Sequence, residues 1–127
     1  MRVTFYGVRG SVPSPGPQTA RYGGNTSCVE VRLADGSVLA LDAGTGLRQM
    51  GNNLLREGRP SPVHLLLSHT HWDHVLGLPF FGPLWGKDNH IFVYPLPTTR
   101  RSASSATSST TSIFPSASMT SPRAWNS

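Results

Sequence analysis

The chain has a single cysteine, Cys28, among its 127 residues. It cannot form an internal disulfide, which excludes a disulfide scaffold and a cysteine-based zinc finger. Charged residues are sparse at 13%. No run approaches the roughly 18 apolar residues of a membrane span. The opening Met1-Arg2-Val3-Thr4-Phe5-Tyr6-Gly7 lacks the apolar stretch of a secretory signal. A soluble, cytoplasmic protein of one domain, without membrane partners, is the expectation. Two further absences matter below: no carboxylate follows Asp88 and no histidine follows His90.

Lys+Arg 11 against Asp+Glu 6 gives +5 with histidine neutral. The excess is unevenly placed, because Arg100, Arg101 and Arg123 lie in a region with no acidic residue. Nucleic-acid surfaces cluster their basic residues on structured elements, often among aromatics. The first 88 residues show no such cluster, so no stable DNA complex is expected.

Two regimes meet near Tyr94-Pro95-Leu96-Pro97. Before that point apolar runs alternate with Gly/Pro/Asp turns, as in a folded α/β chain. After it, serine and threonine fill 16 of the 30 positions 98–127. Ile113, Phe114, Met119 and Trp125 are the sizeable apolar side chains there. Burying them cannot offset an ordering cost of roughly 1–2 kcal/mol per backbone residue. The composition therefore predicts a folded unit over residues 1–95 and a disordered, low-complexity tail over 96–127.

Within the first unit, residues 3–6 read as a strand, followed by a long proline-containing loop over 7–25. Residues 27–33 alternate as a strand. Asp35-Gly36 marks a tight hairpin into a strand at Val38–Leu41. Asp42-Ala43-Gly44-Thr45-Gly46 is a glycine-rich turn. Leu47, Met50, Leu54 and Leu55 then recur at helical spacing, with Gly58 and Pro60 as the stop. Val63–Leu67 is a short apolar strand. A helix begins near Asp73, limited by Gly77 and Pro79, and residues 91–94 form the last strand. The order predicts an α/β layered domain.

Leu65-Leu66-Leu67 runs into Ser68-His69-Thr70-His71-Trp72-Asp73-His74. Four potential metal ligands at the end of one strand form a dense cluster. Imidazole nitrogen and carboxylate oxygen suit zinc and its borderline relatives. In a loop leaving a strand, His69 and His71 can point the same way and share one ion. Asp73 and His74, half a turn on, can face a second. Two ions a few Å apart polarise a phosphoryl or carbonyl oxygen and lower the pKa of a bridging water.

This stretch resembles the signature of the metallo-β-lactamase superfamily. Leu41-Asp42-Ala43-Gly44-Thr45-Gly46 is similar to that family's first motif. Gly7-Val8-Arg9-Gly10-Ser11 and Tyr22-Gly23-Gly24-Asn25-Thr26-Ser27-Cys28 are similar to the opening of its ribonuclease Z-like and cyclic-phosphodiesterase branch. The resemblance covers residues 1 to about 94. It implies the N-terminal half of an αββα sandwich, a mixed sheet with flanking helices. It also implies two divalent ions, zinc or else manganese, and hydrolysis of a phosphodiester small molecule or RNA. His69, His71, Asp73 and His74 carry over as ligands, with Asp73 the candidate catalytic residue. Asp42 carries over as a residue that orients a ligating histidine, rather than only a turn-former before Gly44.

The chain departs from the family's pattern downstream. A further histidine, a bridging aspartate and a last histidine have no counterpart, and His90 follows His74 too closely to replace one. A truncated or frame-shifted reading of a longer gene is the simplest account of the abrupt serine-rich tail. Two function classes follow. The first is a dinuclear phosphodiester hydrolase. The second is a non-catalytic chain with weak metal affinity and no useful turnover.

Smaller signals are weaker. Cys28 reads as an inert core thiol, His64 as structural, and His90 as a loop residue. Arg9, Ser11 and Asn25 sit in glycine-flanked loops that could touch substrate. Thr45-Gly46 offers backbone amides to an anion, and Trp72 either shields the site or packs. Incomplete cover is expected for the apolar faces of residues 28–33 and 38–41. Limited proteolysis should trim the chain beyond about residue 97 and spare residues 1–94. Uniform protection through Ser127 would contradict the compositional reading.

Overall fold

A computed structural model of the chain describes residues 1–58 and 62–95. The predicted tail over 96–127 and the helix-stop residue Pro60 lie outside them. The strands are β1 (Arg2–Gly7), β2 (Cys28–Arg32), β3 (Val38–Leu41), β4 (Val63–Leu67) and β5 (Ile91–Pro95). The helices are α1 (Gly46–Glu57) and the single turn α2 (Trp72–Val75), with short 3-10 turns at Pro17–Thr19, Leu78–Phe80 and Gly82–Trp85.

The five strands form one mixed sheet in the order β1-β2-β3-β4-β5. β1 and β3 flank β2 antiparallel, whereas β3, β4 and β5 run parallel. The hairpin between β2 and β3 forms where Asp35-Gly36 predicts it. Gly36 takes φ 89°, a conformation glycine adopts without steric cost. The Ser37 N–H donates to Asp35 Oδ1 at 2.9 Å. The antiparallel pair needs only this turn, but the parallel pair β3/β4 needs a crossover, and α1 supplies it.

Leu47, Met50, Gly51 and Leu54 form the buried stripe of α1, at the spacing of one helical face. Leu55, which shares the helical pattern, is half exposed instead. The helix ends at Gly58, whose φ of 65° and N–H bond to the Leu55 carbonyl close the last turn. The core lies between α1 and one face of the sheet. Cys28, Val38, Ala40, Val63, Leu65, Leu67 and Ile91 meet Leu47, Met50 and Leu54 there, and Phe81 and Leu84 close the end.

β2 turns a charged residue inward. Glu30, 1% exposed, accepts from Arg32 Nε at 3.0 Å and Tyr6 OH at 3.2 Å. The valines Val29 and Val31 face the opposite side. Register places two rows of side chains on that side, across all five strands. One is Val3, Val31, Leu39, His64 and Phe92; the other is Phe5, Val29, Leu41, Leu66 and Tyr94. Phe5, Val3, Leu41 and Leu66 remain exposed there; of the two strands expected to lack cover, Leu33 and Leu41 do, whereas Cys28, Val38 and Ala40 are buried against α1.

α2 is docked by backbone groups. The Ala43 N–H donates to the His74 carbonyl and the Gly77 N–H to the Ala43 carbonyl, both at 2.8 Å. A Cβ on Gly77 would stand 2.0 Å from the Gly44 carbonyl oxygen, so only glycine permits this approach. Gly77→Ala should therefore cost about 1–3 kcal/mol, as overpacking does. Urea unfolding of the variant beside the parent checks it, and an unchanged midpoint would contradict the docking.

Candidate metal centre

The histidine-rich segment leaves the C-terminal end of β4, and Asp42 leaves the C-terminal end of β3. Because these strands are parallel neighbours, both loops open on one edge of the sheet. Ligands in open α/β sheets collect at such carboxyl ends.

Asp42 occupies a left-handed conformation, φ 61°, that turns the chain sharply at the end of β3. Its carboxylate accepts four hydrogen bonds. Ser68 N–H and Ser68 Oγ donate to Oδ1 at 2.8 and 2.7 Å. Ser27 Oγ at 3.2 Å and His74 Nδ1 at 2.9 Å meet Oδ2. Four donors match the lone-pair capacity of a carboxylate. Burial pushes the Asp42 carboxyl up, but the Ser68 and His74 hydrogen bonds outweigh it and hold the group below its ordinary value.

The cluster residues come together as two pairs. His69 Nε2 and His71 Nδ1 lie 3.1 Å apart, and His74 Nε2 and Asp73 Oδ2 lie 3.4 Å apart. The pairs adjoin, since the rings of His69 and His74 are 4.0 Å apart between centroids. Among the described residues no group of three or more His, Cys, Asp or Glu is arranged to hold one ion. Two donors of a tetrahedral zinc ion stand about 3.3–3.4 Å apart, so each pair has the spacing of two ligands of one ion.

Asp73 is held from outside its own element. The Ser11 N–H donates to Asp73 Oδ2 at 2.9 Å, and that bond is the leading reason its carboxyl lies below the ordinary value. Ser11 itself has φ 69°, so the long loop after β1 turns there to present its amide. The loop residues otherwise serve the fold. Arg9 Nε donates to the Val12 carbonyl at 2.7 Å, and Asn25 Oδ1 accepts from Thr45 Oγ1 at 3.2 Å.

One sequence reading is corrected, that for Thr45 and Gly46, and one of the two alternatives for Trp72 falls away. The amides of Thr45 and Gly46 do not wait for an anion: Thr26 Oγ1 and the Thr26 carbonyl accept from them at 2.9 and 3.4 Å. Trp72 does not pack; it is 80% exposed. His64 is structural as expected, with Nδ1 2.9 Å from Tyr94 OH and its ring stacked on Phe92. Cys28 is fully buried, and burial pushes its thiol up to about 12, which leaves it inert. His90 lies in a loop, its carbonyl accepting from Val63 N–H at 2.9 Å.

Ser68 and Ser27 stand in the family-like motifs of the sequence, but no role was read for either; adjacency to His69 for Ser68 and membership of the Tyr22–Cys28 motif for Ser27 were the available signals. An open cavity of about 280 Å³, lined by Leu41, Leu66 and Tyr94, adjoins Asp42 and Ser68.

A family model described as the metallo-beta-lactamase superfamily matches residues 21–108. A ribonuclease Z of Haloarcula marismortui is 40% identical over 86 residues, 67% of this chain and 24% of that protein. An uncharacterized protein of Mycobacterium leprae is 37% identical over 79 residues, 62% of this chain and 24% of that protein. A ribonuclease Z of Haloferax volcanii is 34% identical over 80 residues, 62% of this chain and 22% of that protein. The chain thus spans about a quarter of the length of these relatives. No solved structure matches it.

Asp42 gives a pH prediction. Its folded pKa is depressed, so its contribution to stability is present above the unfolded value of about 3.9 and is lost as pH falls through the folded value. Asp42→Asn keeps the left-handed backbone tolerable and removes the charge. The variant should be less stable by about 1–3 kcal/mol at neutral pH. It should also lose less stability than the parent between about pH 4 and 2, although Asp35 and Asp73, held low as well, keep part of the acid sensitivity. Denaturant unfolding across that range checks it; parallel curves for the two proteins would contradict it.

Proposed function

The chain belongs to the metallo-beta-lactamase superfamily, and from that premise we propose that its site serves metal-dependent hydrolysis of a phosphodiester. The observation that carries the reading is the division of four donors into two adjoining pairs, His69 with His71 and Asp73 with His74. Each pair fits one divalent ion by donor chemistry and by spacing. Zinc is the first choice and manganese the second. Bound there, two such ions would supply Lewis acidity toward a phosphoryl oxygen and a water acidified at neutral pH.

The chain's own residues do the positioning. His69 and His71 present ring nitrogens to one point. Asp73, fixed by the Ser11 amide, supplies the anionic donor of the second pair and is the residue closest to catalysis. Asp42 anchors His74 from behind. The likeness to two ribonucleases Z favours RNA, with a small phosphodiester as the other substrate class.

A second reading rests on the same pairing. A catalytic zinc normally has three protein ligands, and each pair provides two. On that reading the 127 residues bind metal weakly and turn over nothing. The discriminating experiment measures hydrolysis of a chromogenic bis-aryl phosphate with zinc or manganese, for the chain and for Asp73→Ala. Slow turnover that requires metal well above stoichiometric levels, and that disappears in the variant, is expected. No turnover at saturating metal, with weak binding abolished by His71→Ala or Asp73→Ala, would leave the second reading in its place.

A further inference from the structure

The sheet face turned away from α1 is chemically uniform. Neither of its two rows contains a charged side chain. Its most exposed members are Phe5 at 68% and Val3 at 45%. The polar side chains in the rows, His64 and Tyr94, meet each other at 2.9 Å, so part of the cost of drying them is met within the chain. The exposed fractions of the row residues leave about 600 Å² open, taking about 150–250 Å² for a whole aromatic side chain. That is the upper end of the largest apolar patch a monomer usually carries.

The face also has relief. Phe5 projects from the edge strand β1. On the opposite side of the sheet, two open hollows of about 280 and 400 Å³ share Leu66 and Tyr94 as walls. Strand register puts Phe5, Leu66 and Tyr94 in one row. A two-fold axis parallel to the strands and passing over β3 lays β1 of one copy across β5 of another, without shifting that row along the strands. We propose that this face is a self-association surface, on which two copies of the chain pack sheet on sheet and Phe5 of each enters the hollows beside Leu66 and Tyr94 of the other. An isologous contact uses the same patch twice, so projection and hollow must both lie on it, as they do. Aligned sheets pack about 10 Å apart with their strands within about 30° of each other, and this axis provides that alignment. A charged or polar partner would lose hydrogen bonds to water with nothing on the rows to replace them. Two such faces bury about 1,200 Å² together, the lower bound for a specific pair, so the dimer is reversible and depends on concentration. One hollow reaches Asp42 and Ser68, which brings Phe5 of the second copy beside the donor cluster.

Sedimentation equilibrium of the full 127-residue chain tests the proposal. Between about 1 and 500 µM, the range suited to an interface of this size, the mass should rise from that of one chain to that of two. Phe5→Glu puts a charge into the contact twice and should leave a monomer; circular dichroism checks that it is folded. Val12→Glu alters an apolar position of similar exposure outside the rows and should leave the dimer intact. A photocross-linker settles the geometry without a destabilising charge. p-Benzoylphenylalanine in place of Phe5 should give a covalent dimer on irradiation, with the cross-link mapping to residues 64–66 or 92–94. A chain that stays monomeric over the whole range overturns the proposal, and so does a dimer that survives Phe5→Glu. A cross-link within one chain to residues 96–127 overturns it as well, because that segment would then be the occupant.

Discussion

The Asp42 carboxylate is the joint of the molecule. Its four donors come from the start of β2, the end of β4 and the turn α2. Hydrogen bonds to a charged acceptor contribute about 1.5–3 kcal/mol each, and here they tie three segments to one side chain. The left-handed backbone at Asp42 is what turns the carboxylate back across the sheet edge. The conformation costs free energy for a side chain with a Cβ, less for aspartate than for most. Fully satisfied hydrogen bonding offsets that cost.

Around this joint the glycines do steric work. Gly44 and Gly77 let the β3–α1 turn and the end of α2 touch backbone to backbone, and a Cβ at Gly44 would stand 2.4 Å from the Asp73 carbonyl oxygen. The histidine-bearing turn is thereby fixed through main-chain bonds, with Val75 packed against the core beside them. That is why α2, with no buried residue of its own, still holds Asp73 and His74 in place. Ser11 adds the outer restraint on Asp73 from a loop more than sixty positions earlier in the chain.

The sheet's two faces have unequal roles. One packs α1 and holds the core, and the other carries two apolar rows with partial exposure. β2 illustrates how this defeats a reading of alternation alone. Cys28-Val29-Glu30-Val31 alternates, and hydropathy would bury the valines. The structure buries Cys28 and Glu30 instead, because Tyr6 and Arg32 reach Glu30 from neighbouring positions and satisfy its charge. A partner at i+2 and another on the adjacent strand cannot be weighed without knowing the register.

Strands, the Asp-Gly hairpin, the Gly58 helix stop and the His-x-His-x-Asp-His donors were legible in the sequence, because each is a local property. Periodicity, glycine conformation and donor chemistry act over a few residues and need no knowledge of distant chain. The family resemblance, carried by short motifs, reached the fold for the same reason. Tertiary structure alone decided that Ser68 and Ser27 serve Asp42, that Ser11 holds Asp73, and that Thr26 consumes the amides at the start of α1. Each of these joins residues whose separation along the chain far exceeds a helical turn, from 15 positions between Ser27 and Asp42 to 62 between Ser11 and Asp73. A hydrogen bond is a statement about distance and direction, and those exist only once the sheet has brought β3 and β4 side by side.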